Sequence, residues 1–363
     1  MKYRVTCLSP TLVGDGQKLS PIDYMVWRDA INVLDQRRIF KLLARNQSRL
    51  DGYLAQLKKA DKLDFASWGG FAQNFAGRRI PLEHASLMTQ FERARPENLF
   101  IPTFAANTGG AYLPGSAIKG ALRTGAVSAR FSEGAMRELA KRLEGERIPR
   151  RVSERVEDQL LSGSGTNKMR TVATADSGAV PYSAMKVYML RTSTLAARGT
   201  KLELAWKTAP RGTVARADDA TPTFVEMATP GTAFDGLWKE TNADARRSLF
   251  RASNQYAAQI LDKHLHYAET AGLKKLEENL HSLIERTKSS QDACLLSIGW
   301  GGGLLGKAAF VNTEDASYRQ ILKQVSVFER AIQTGLPFPK TRRIVFEGGQ
   351  PASLPGWVVL EVG

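Results

Sequence analysis

The sequence predicts an α+β protein with antiparallel sheets, and three observations lead to this class. Short strand-like runs lie at 2–9, where apolar and polar residues alternate in part, and at 186–194 and 223–228. Two apolar runs at 24–34 flank a short polar pair, which predicts a hairpin. Strands and helices alternate over long range and include antiparallel hairpins, so an α+β fold is expected and a doubly wound parallel sheet is not.

The remaining elements follow from capping residues and apolar spacing. Asp35 is placed as the N-cap of a helical stretch that continues to about residue 59. Ser116 is placed as the N-cap of a second helix. A long amphipathic helical region is expected at about 244–288, with a break near Gly272. Further strands are predicted at 86–94, 201–208, 294–299 and 356–362, and a further helix at 315–334.

The chain length of 363 residues allows two units or one elaborated unit. We predict a single elaborated domain over 1–363, because long internal repeats are absent from the sequence. Within it we expect a helical insertion at 35–84 and the helical region at 244–288. A charged insertion at 133–180 holds few large apolar residues, so a short helix followed by a flexible loop is expected there.

The charge of the chain limits its partners. Lysine and arginine number 51 and aspartate and glutamate 36, a formal net charge of +15. Such a surplus suits a nucleic acid, an anionic membrane surface or an acidic protein. Membrane binding favours one amphipathic helix that concentrates the cations, whereas here they are spread over the whole chain. Nucleic acid is therefore the preferred partner, no membrane partner is expected, and an acidic protein neighbour stays open.

Cysteine usage and the apolar runs indicate the compartment. Cys7 and Cys294 are the two cysteines, which excludes a disulfide scaffold and a cysteine-based zinc site. The N-terminal segment lacks the sustained apolar stretch of a secretory signal. The uncharged apolar run 293–306 is too short and too rich in glycine to span a bilayer. We therefore expect a cytoplasmic protein.

A glycine-rich loop is the sharpest local motif. Gly301, Gly303 and Gly306 fit the dinucleotide fingerprint, and Gly306-Lys307 nearly completes a P-loop. A P-loop needs Ser or Thr after the lysine, and here Ala308 follows; too little chain remains for a dinucleotide fold. Consecutive glycines still let backbone N–H groups approach a phosphate. A tight turn packed against a sheet is the alternative. The candidate RNA contacts in this loop are Gly301, Gly302, Gly303 and Lys307.

Two basic segments are further candidates. Lys119 and Arg123 lie four residues apart on one face of the helix that Ser116 opens, an arrangement that suits a phosphate backbone. A solvated basic face is the alternative. Arg342 and Arg343 follow a proline-rich run and either contact phosphates or flank a strand.

Catalytic and metal sites are not predicted. The histidines are spaced unlike a metal-chelating pair, so they are expected to be satisfied or solvent-facing. Asp15 and Asp23, in the loop after the first strand, are candidates for RNA chemistry only if a 2′-hydroxyl lies beside them. The sequence indicates no cofactor, no metal and no enzyme.

Three segments together resemble the RAMP superfamily of CRISPR effector proteins. They are S-P-T-L-V-G-D-G at 9–16, Y-L-P-G-S-A-I-K-G at 112–120, and the late glycine loop before P-K-T-R at 339–342. Within the superfamily the match is closest to the type III-A subunits that cap the filament at the 3′ end of the CRISPR RNA in the Csm complex. The resemblance spans nearly the full chain.

The resemblance implies a ferredoxin-like, RRM-type core with an antiparallel sheet and large helical insertions. It implies a non-catalytic subunit that binds the 3′ region of the CRISPR RNA, caps the backbone filament and supports guide maturation. The implied partners are CRISPR RNA, target RNA indirectly, the neighbouring backbone RAMP subunit, the small helical Csm subunit and host trimming nucleases. Motif by motif, the RNA-lining residues would be Gly14, Gly16, Lys18, Ser116, Lys119, Arg123, the loop Gly301 to Gly303 and Lys307.

Two alternatives remain within the superfamily. One is an RNA-processing endonuclease; relatives often carry histidine in the first loop where this chain has Leu12, which weakens histidine-based cleavage. The other is the equivalent end subunit of a type III-B complex. A basic scaffold whose charge serves only an acidic neighbour is the alternative from a different class.

Overall fold

The computed structural model describes residues 1–59, 74–143, 153–162, 168–199, 201–288, 292–325, 328–329, 332 and 337–363. The helices are α1 (Gln36–Leu43), α2 (Gln47–Lys59), α3 (Leu87–Arg93), α4 (Gly115–Ser128), α5 (Glu133–Leu143), α6 (Glu154–Ser162), α7 (Ala243–Ala271), α8 (Lys274–Thr287) and α9 (Ala316–Lys323). None of the helices in these ranges is long and apolar enough to cross a membrane.

The strands form two main antiparallel sheets and three small ones. In chain order they are β1 (Lys2–Cys7), β2 (Lys18–Leu19), β3 (Tyr24–Trp27), β4 (Ala30–Leu34), β5 (Ala76–Pro81), β6 (Ile101–Pro102), β7 (Ala106–Asn107), β8 (Gly110–Ala111), β9 (Val172–Thr174), β10 (Met185–Arg198), β11 (Lys201–Lys207), β12 (Thr213–Val214), β13 (Thr223–Ala228), β14 (Ala233–Glu240), β15 (Ala293–Ser297), β16 (Thr341–Glu347), β17 (Gln350–Ser353) and β18 (Trp357–Val362). The predicted α+β class with antiparallel sheets is confirmed.

A five-stranded sheet in the order β15-β18-β1-β14-β9 forms the first half of the core. Alternate residues of β1 are buried, as a period of two requires when one face of a strand packs inward. Val5 lies in one apolar cluster with Leu122 of α4 and Phe250 of α7. The two helices approach closely where a Cβ on Gly125 would lie 2.8 Å from the Cα of Ser253. One face of this sheet is therefore packed against the α4–α7 pair.

A six-stranded sheet in the order β12-β11-β10-β16-β17, with β13 also on β10, forms the second half. Its apolar cluster includes Val187, Phe224 and Ile344, together with Ile260 of α7 and Leu276 of α8. Because α7 is 29 residues long, its first half packs on the first core cluster and its second half on this one. The helix thus connects the two sheets.

The segment around α1 and α2 has a small core of its own. The hairpin β3–β4 turns through Arg28 (φ 46°) and Asp29 (φ 57°), the two positive φ values that a type I′ loop requires. Asp35 caps α1, because its Oδ1 accepts from the N–H groups of Arg37 and Arg38, both at 3.1 Å. An ion pair between Arg78 of β5 and the fully buried Glu226 of β13 connects this segment to the second sheet.

Several predicted elements are confirmed. The first strand, the hairpin, the Asp35 cap and the strand at 223–228 all form. Gly272 ends α7 in the left-handed conformation (φ 66°), at the predicted break. The helix predicted at 315–334 is observed as α9, with Asp315 as its N-cap. Parts of its predicted second half lie outside the described residues.

Other expectations differ from the structure. The strand predicted at 86–94 is wrong: α3 forms there, because Leu87 and Phe91 are four residues apart and both are buried on one helix face. The insertion at 133–180 contains α5, α6 and β9 instead of one short helix and a loop. Arg147, Arg150 and Arg151 lie outside the described residues, as does the glycine-serine stretch at 163–165. The proposed division into insertions stays a prediction.

Candidate nucleic-acid interface

The loop after β1 and the late glycine loop are joined by a direct backbone hydrogen bond. The N–H of Trp300 donates to the carbonyl of Leu12 at 2.8 Å. This contact needs glycine at position 299: its φ is +71°, and a Cβ there would lie 2.0 Å from the Leu12 carbonyl oxygen. Gly299 is not among the glycines that the sequence motif singles out, which are Gly301, Gly302 and Gly303.

Further backbone hydrogen bonds connect the loop after β1 to the segment just before α4. The N–H of Ala105 donates to the Val13 carbonyl at 2.9 Å, and the N–H of Tyr112 donates to the Ala105 carbonyl at 3.0 Å. Tyr112 lies two residues before Pro114, which precedes α4. The three segments that carried the family resemblance are distant in sequence, and backbone hydrogen bonds join them in the fold into one region, which we call the convergent site. It comprises residues 12–18, 103–105, 112–119 and 299–307.

The start of α4 differs from the prediction. The helix begins at Gly115 with Pro114 as its N-cap, so the prediction of Ser116 as N-cap is wrong; Ser116 is exposed in the first turn. The capping oxygen comes from another segment, because the Gly115 N–H donates to Asp176 Oδ1 at 2.8 Å. A nearby carboxylate compensates the positive end of the helix dipole. The helix terminus is therefore a weaker phosphate site than the sequence suggested.

The two predicted cations of α4 have different surroundings. Arg123 donates to Glu157 Oε2 of α6 from Nε at 3.2 Å and from Nη2 at 3.0 Å, and Asp158 Oδ1 lies 3.6 Å from Nη2. Lys119 is half-buried and has no ion pair with the described residues. A phosphate would have to compete with two carboxylates for Arg123, so Lys119 is the more available cation.

The first loop presents an exposed cation beside an aromatic ring. Gly14, Gly16 and Lys18 are exposed, and Lys18 Nζ lies 4.5 Å from the ring centroid of Phe100, whose side chain is itself partly exposed. An accessible ring next to an ammonium group can stack a base while the cation contacts its phosphate. Lys307, in the glycine loop, is also exposed. Together these residues give the convergent site three cations, Lys18, Lys119 and Lys307.

Arg342 and Arg343 lie in β16, next to the glycine loop but in different environments. Arg343 is exposed, and its guanidinium lies 4.8 Å from the Trp300 ring centroid. Arg342 is buried: Nε donates to His264 Nδ1 at 2.8 Å, and Nη1 donates to the carbonyls of Pro339 (2.7 Å) and Thr341 (2.9 Å). Burial lowers the pKa of Arg342 to about 10, so it is charged at neutral pH. A role for Arg342 in contacting an RNA backbone at the surface is therefore disfavoured.

His264 is the hydrogen-bond partner of Arg342, and the spacing of the histidines in the sequence did not indicate this contact. His264 is buried in α7, and burial first, then the charge of Arg342, holds its pKa well below 6.5. The imidazole is thus neutral at pH 7 and able to accept the Arg342 hydrogen bond. Tyr267, one turn further along α7, lies under the Arg342 guanidinium at 4.5 Å. The spacing of three residues between His264 and Tyr267 predicts that they share a helix face. It does not predict their contact with Arg342, which lies 78 residues from His264.

The acidic candidates for RNA chemistry have structural roles. Asp15 Oδ1 accepts from the N–H of Gln17 at 3.0 Å, and Asp23 Oδ2 accepts from the N–H of Ser20 at 2.7 Å. Each therefore closes a local turn. The described ranges hold no group of three or more His, Cys, Asp or Glu side chains that would suit a metal ion.

Comparisons with known proteins agree with this architecture. A sequence-family model of the RAMP superfamily matches residues 4–305. The chain therefore belongs to the RAMP superfamily, as its three motifs indicated. A comparison with curated proteins finds no match.

Two solved structures are similar along essentially the whole chain. One is a chain of the cryo-EM structure of a Csm-crRNA-target RNA ternary complex in a type III-A CRISPR-Cas system, with 20% identity, a TM-score of 0.62 and coverage of 99% of this chain and 100% of that one. The other is the crystal structure of T. onnurineus Csm5, with 18% identity, a TM-score of 0.61 and coverage of 98% and 99%. At this identity the likeness establishes a shared fold.

Proposed function

We propose that this chain is a non-catalytic, RNA-binding subunit of a type III CRISPR effector complex. In this proposal it binds the 3′ region of the CRISPR RNA, caps the backbone filament and supports guide maturation. The convergent site carries the proposal, because in this RAMP superfamily member backbone hydrogen bonds join all three motif segments, and these segments and their flanks include Lys18, Lys119 and Lys307.

A ferredoxin-like core is supported by the topology of the first sheet. The elements β1, α4, β9, β14, α7 and β18 follow one another along the chain, a βαββαβ sequence when the inserted elements are left out. Numbered 1 to 4 along the chain, their strands lie side by side in the order 4-1-3-2. Every neighbouring pair among them is antiparallel. In this reading, β15 extends the sheet beyond β18.

RNA as the ligand is supported by charge and by the type of contact available. A net charge of +15 provides a broad attractive field for a polyanion. The three available lysines and the glycine backbone of the convergent site would contact phosphates, and Phe100 beside Lys18 offers a stacking surface. Contacts of this kind position a strand without reading its sequence, which suits a subunit that must accept many guide sequences.

The proposed partners come from the similar structures. One of them is a complex of Csm subunits with crRNA and target RNA, so we propose CRISPR RNA, a backbone RAMP subunit and the small helical Csm subunit as neighbours, with target RNA contacted indirectly. Trimming nucleases of the host and a cytoplasmic location belong to the same proposal. The equivalent end position in a type III-B complex is the competing assignment.

The test compares two triple variants that lose the same charge. Lys18, Lys119 and Lys307 are changed to alanine in the first variant; Lys274, Lys275 and Lys288, exposed lysines of α8 and its C-terminal cap, are changed in the control. Each phosphate contact contributes about 0.7 to the slope of log affinity against log salt for single-stranded RNA. We expect the first variant to lose about two units of slope and the control to keep the wild-type slope.

Equal slopes for both variants would remove the convergent site from the proposal. Sequencing the RNA that copurifies with the tagged chain from its own cells tests the complex: enrichment of guides with a common 3′ boundary is expected. Cleavage of repeat RNA by the isolated chain, abolished by Asp23→Ala, would replace the non-catalytic assignment with the endonuclease.

A further inference from the structure

A cavity of about 150 Å³ lies between the glycine loop and the buried end of Arg342. Gly301, Gly302 and Gly303 line it, together with Arg342 and His264. The hydroxyl residues Thr192, Ser297 and Thr341 complete its polar lining, and Arg343 also contributes. The described lining holds two arginines and no aspartate or glutamate. Such a cavity attracts an anion.

Arg342 differs from the other buried arginines in its partners. The described part of the chain has three buried arginines. Arg191 lies 3.2 Å from Asp218, and Arg246 lies within 3.5 Å of both Glu240 and Asp292. Arg342 has no acidic partner among the described residues: its Nε and Nη1 donate to a neutral imidazole and two carbonyls. A buried charge without a counter-charge is costly, and a bound anion would compensate it.

The hydrogen bonds of Arg342 leave donors available at the cavity. Three acceptors hold Nε and Nη1 and so orient the guanidinium, whereas no described acceptor takes the hydrogens of Nη2. Because His264 accepts at Nδ1, its proton resides on Nε2, which makes the second ring nitrogen a donor. Ser297 and the backbone of Gly301, Gly302 and Gly303 also line the cavity and add hydroxyl and N–H groups that can donate to an anion.

We propose that this cavity binds one phosphate monoester, either the terminal phosphate of an RNA strand or a free phosphate. Its volume is about half the lower limit for pockets that enclose drug-sized ligands, so the cavity suits a small anion better than a whole nucleotide. An internal phosphodiester carries a nucleoside on each side, whereas a terminal phosphate carries only one and is therefore the better fit. The RNA form of the proposal rests on the proposed function; binding of free phosphate does not.

The test uses one short RNA sequence in three forms, with a 3′-phosphate, with a 5′-phosphate, or with hydroxyl groups at both ends. We expect one phosphorylated form to bind about tenfold more tightly than the hydroxyl form, because charge-assisted hydrogen bonds to a dianion are strong. Inorganic phosphate in a thermal-shift assay identifies the source: stabilisation shows that free phosphate suffices, and competition with the phosphorylated RNA places both in the same cavity.

Variants locate the effect in the cavity without removing its buried positive charge. Gly302→Ala adds a methyl group 3.1 Å from Ser297 Oγ, inside the lining, and Gly302 has no positive φ that would strain alanine. Gly52→Ala adds the same group in open space on α2 and is the matched control. We expect Gly302→Ala, and not Gly52→Ala, to abolish the preference for the phosphorylated end. Arg342→Lys, which keeps a charge but loses the fork of donors, should reduce it.

Equal binding of all three RNA forms, with no stabilisation by inorganic phosphate, would overturn the proposal and leave RNA binding itself intact. A preference that survives in Gly302→Ala would also overturn it. Salt-insensitive or absent RNA binding would instead contradict the proposed function, while stabilisation of the wild type by inorganic phosphate would still support the cavity.

Discussion

Arg191 of β10 and Arg342 of β16 lie on the same pair of hydrogen-bonded strands, and both are buried, but their surroundings differ. Cα pairing in this ladder places Ser193 opposite Arg342 and Arg191 opposite Ile344. Each guanidinium lies over an aromatic ring, Arg191 over Phe346 at 5.1 Å and Arg342 over Tyr267 at 4.5 Å. The difference is in the counter-charge.

Arg191 donates to Asp218 and to Gln90 Oε1, so a carboxylate balances its charge. Burial lowers the pKa of both arginines; at Arg191 the Asp218 carboxylate opposes that shift, whereas at Arg342 the opposing group is Tyr267. Burial alone therefore does not show that an arginine serves only to stabilise the fold. A buried guanidinium that lines a cavity and has no acidic partner, such as that of Arg342, is the better candidate for binding a ligand.

The largest expected effect is on stability when Arg342 is replaced by methionine. The substitution leaves the buried His264 Nδ1 and the partly buried carbonyls of Pro339 and Thr341 without their donor, and an acceptor left unpaired in the interior costs about 1–3 kcal/mol. We expect Arg342→Met to lower the free energy of unfolding by about 3 kcal/mol or more, measured by urea denaturation.

Arg191→Met is the matched control for that experiment. Its former partner Asp218 is 69% exposed and can be rehydrated, so the expected loss is about 1–2 kcal/mol. A larger loss for Arg191→Met than for Arg342→Met would contradict the view that the hydrogen bonds of Arg342 position it rigidly.

A smaller effect is expected from pH. Burial keeps the pKa of His264 well below 6.5 in the folded state, whereas the unfolded chain titrates near 6.5. Between these values the unfolded state binds the extra proton, so stability falls as pH decreases below about 6.5, by up to about 1.4 kcal/mol per pH unit. The measurement is urea denaturation between pH 5 and 7.5.

His264→Asn isolates this contribution. Asparagine can still accept the Arg342 hydrogen bond through its side-chain oxygen, but it does not titrate. We expect its stability to depend less steeply on pH than that of the wild type below pH 6.5. The same slope in both proteins would show that His264 does not carry the pH dependence.

The smallest effect is expected from Asp218, the acidic partner of Arg191. Asp218→Asn removes the charge beside Arg191 while keeping a side chain of similar size. Because Asp218 is largely exposed and its attraction is partly screened, the expected loss is about 1 kcal/mol or less, decreasing with added salt. A loss that is independent of salt would argue for a role of Asp218 other than its charge.

Elements with strong local signals were predictable. Asp35 lies three residues before Arg38, whose N–H it caps, and Gly272 supplies the left-handed residue that ends α7. The helix within residues 86–94 was not predictable, because nine residues that include Leu87 and Phe91 fit either a strand or a helix until their packing partners are known.

The candidate site was predictable in its parts but not in its arrangement. The motif segments around Gly14, Lys119 and Gly301 could be read from the sequence. Asp176, which caps α4, lies 61 residues from Gly115. Glu157, which pairs with the charge of Arg123, lies 34 residues from Arg123. Spacing along the chain carries no signal for contacts of that separation.

The sequence by itself determined the α+β class, the surplus of +15 and the superfamily, because composition, local periodicity and motifs reside in short stretches of chain. The tertiary structure decided which cations remain available and which loops meet. It buried Arg342 against His264, 78 residues away, and bonded Trp300 to Leu12 across most of the chain. Burial and pairing are properties of residues that folding brings together.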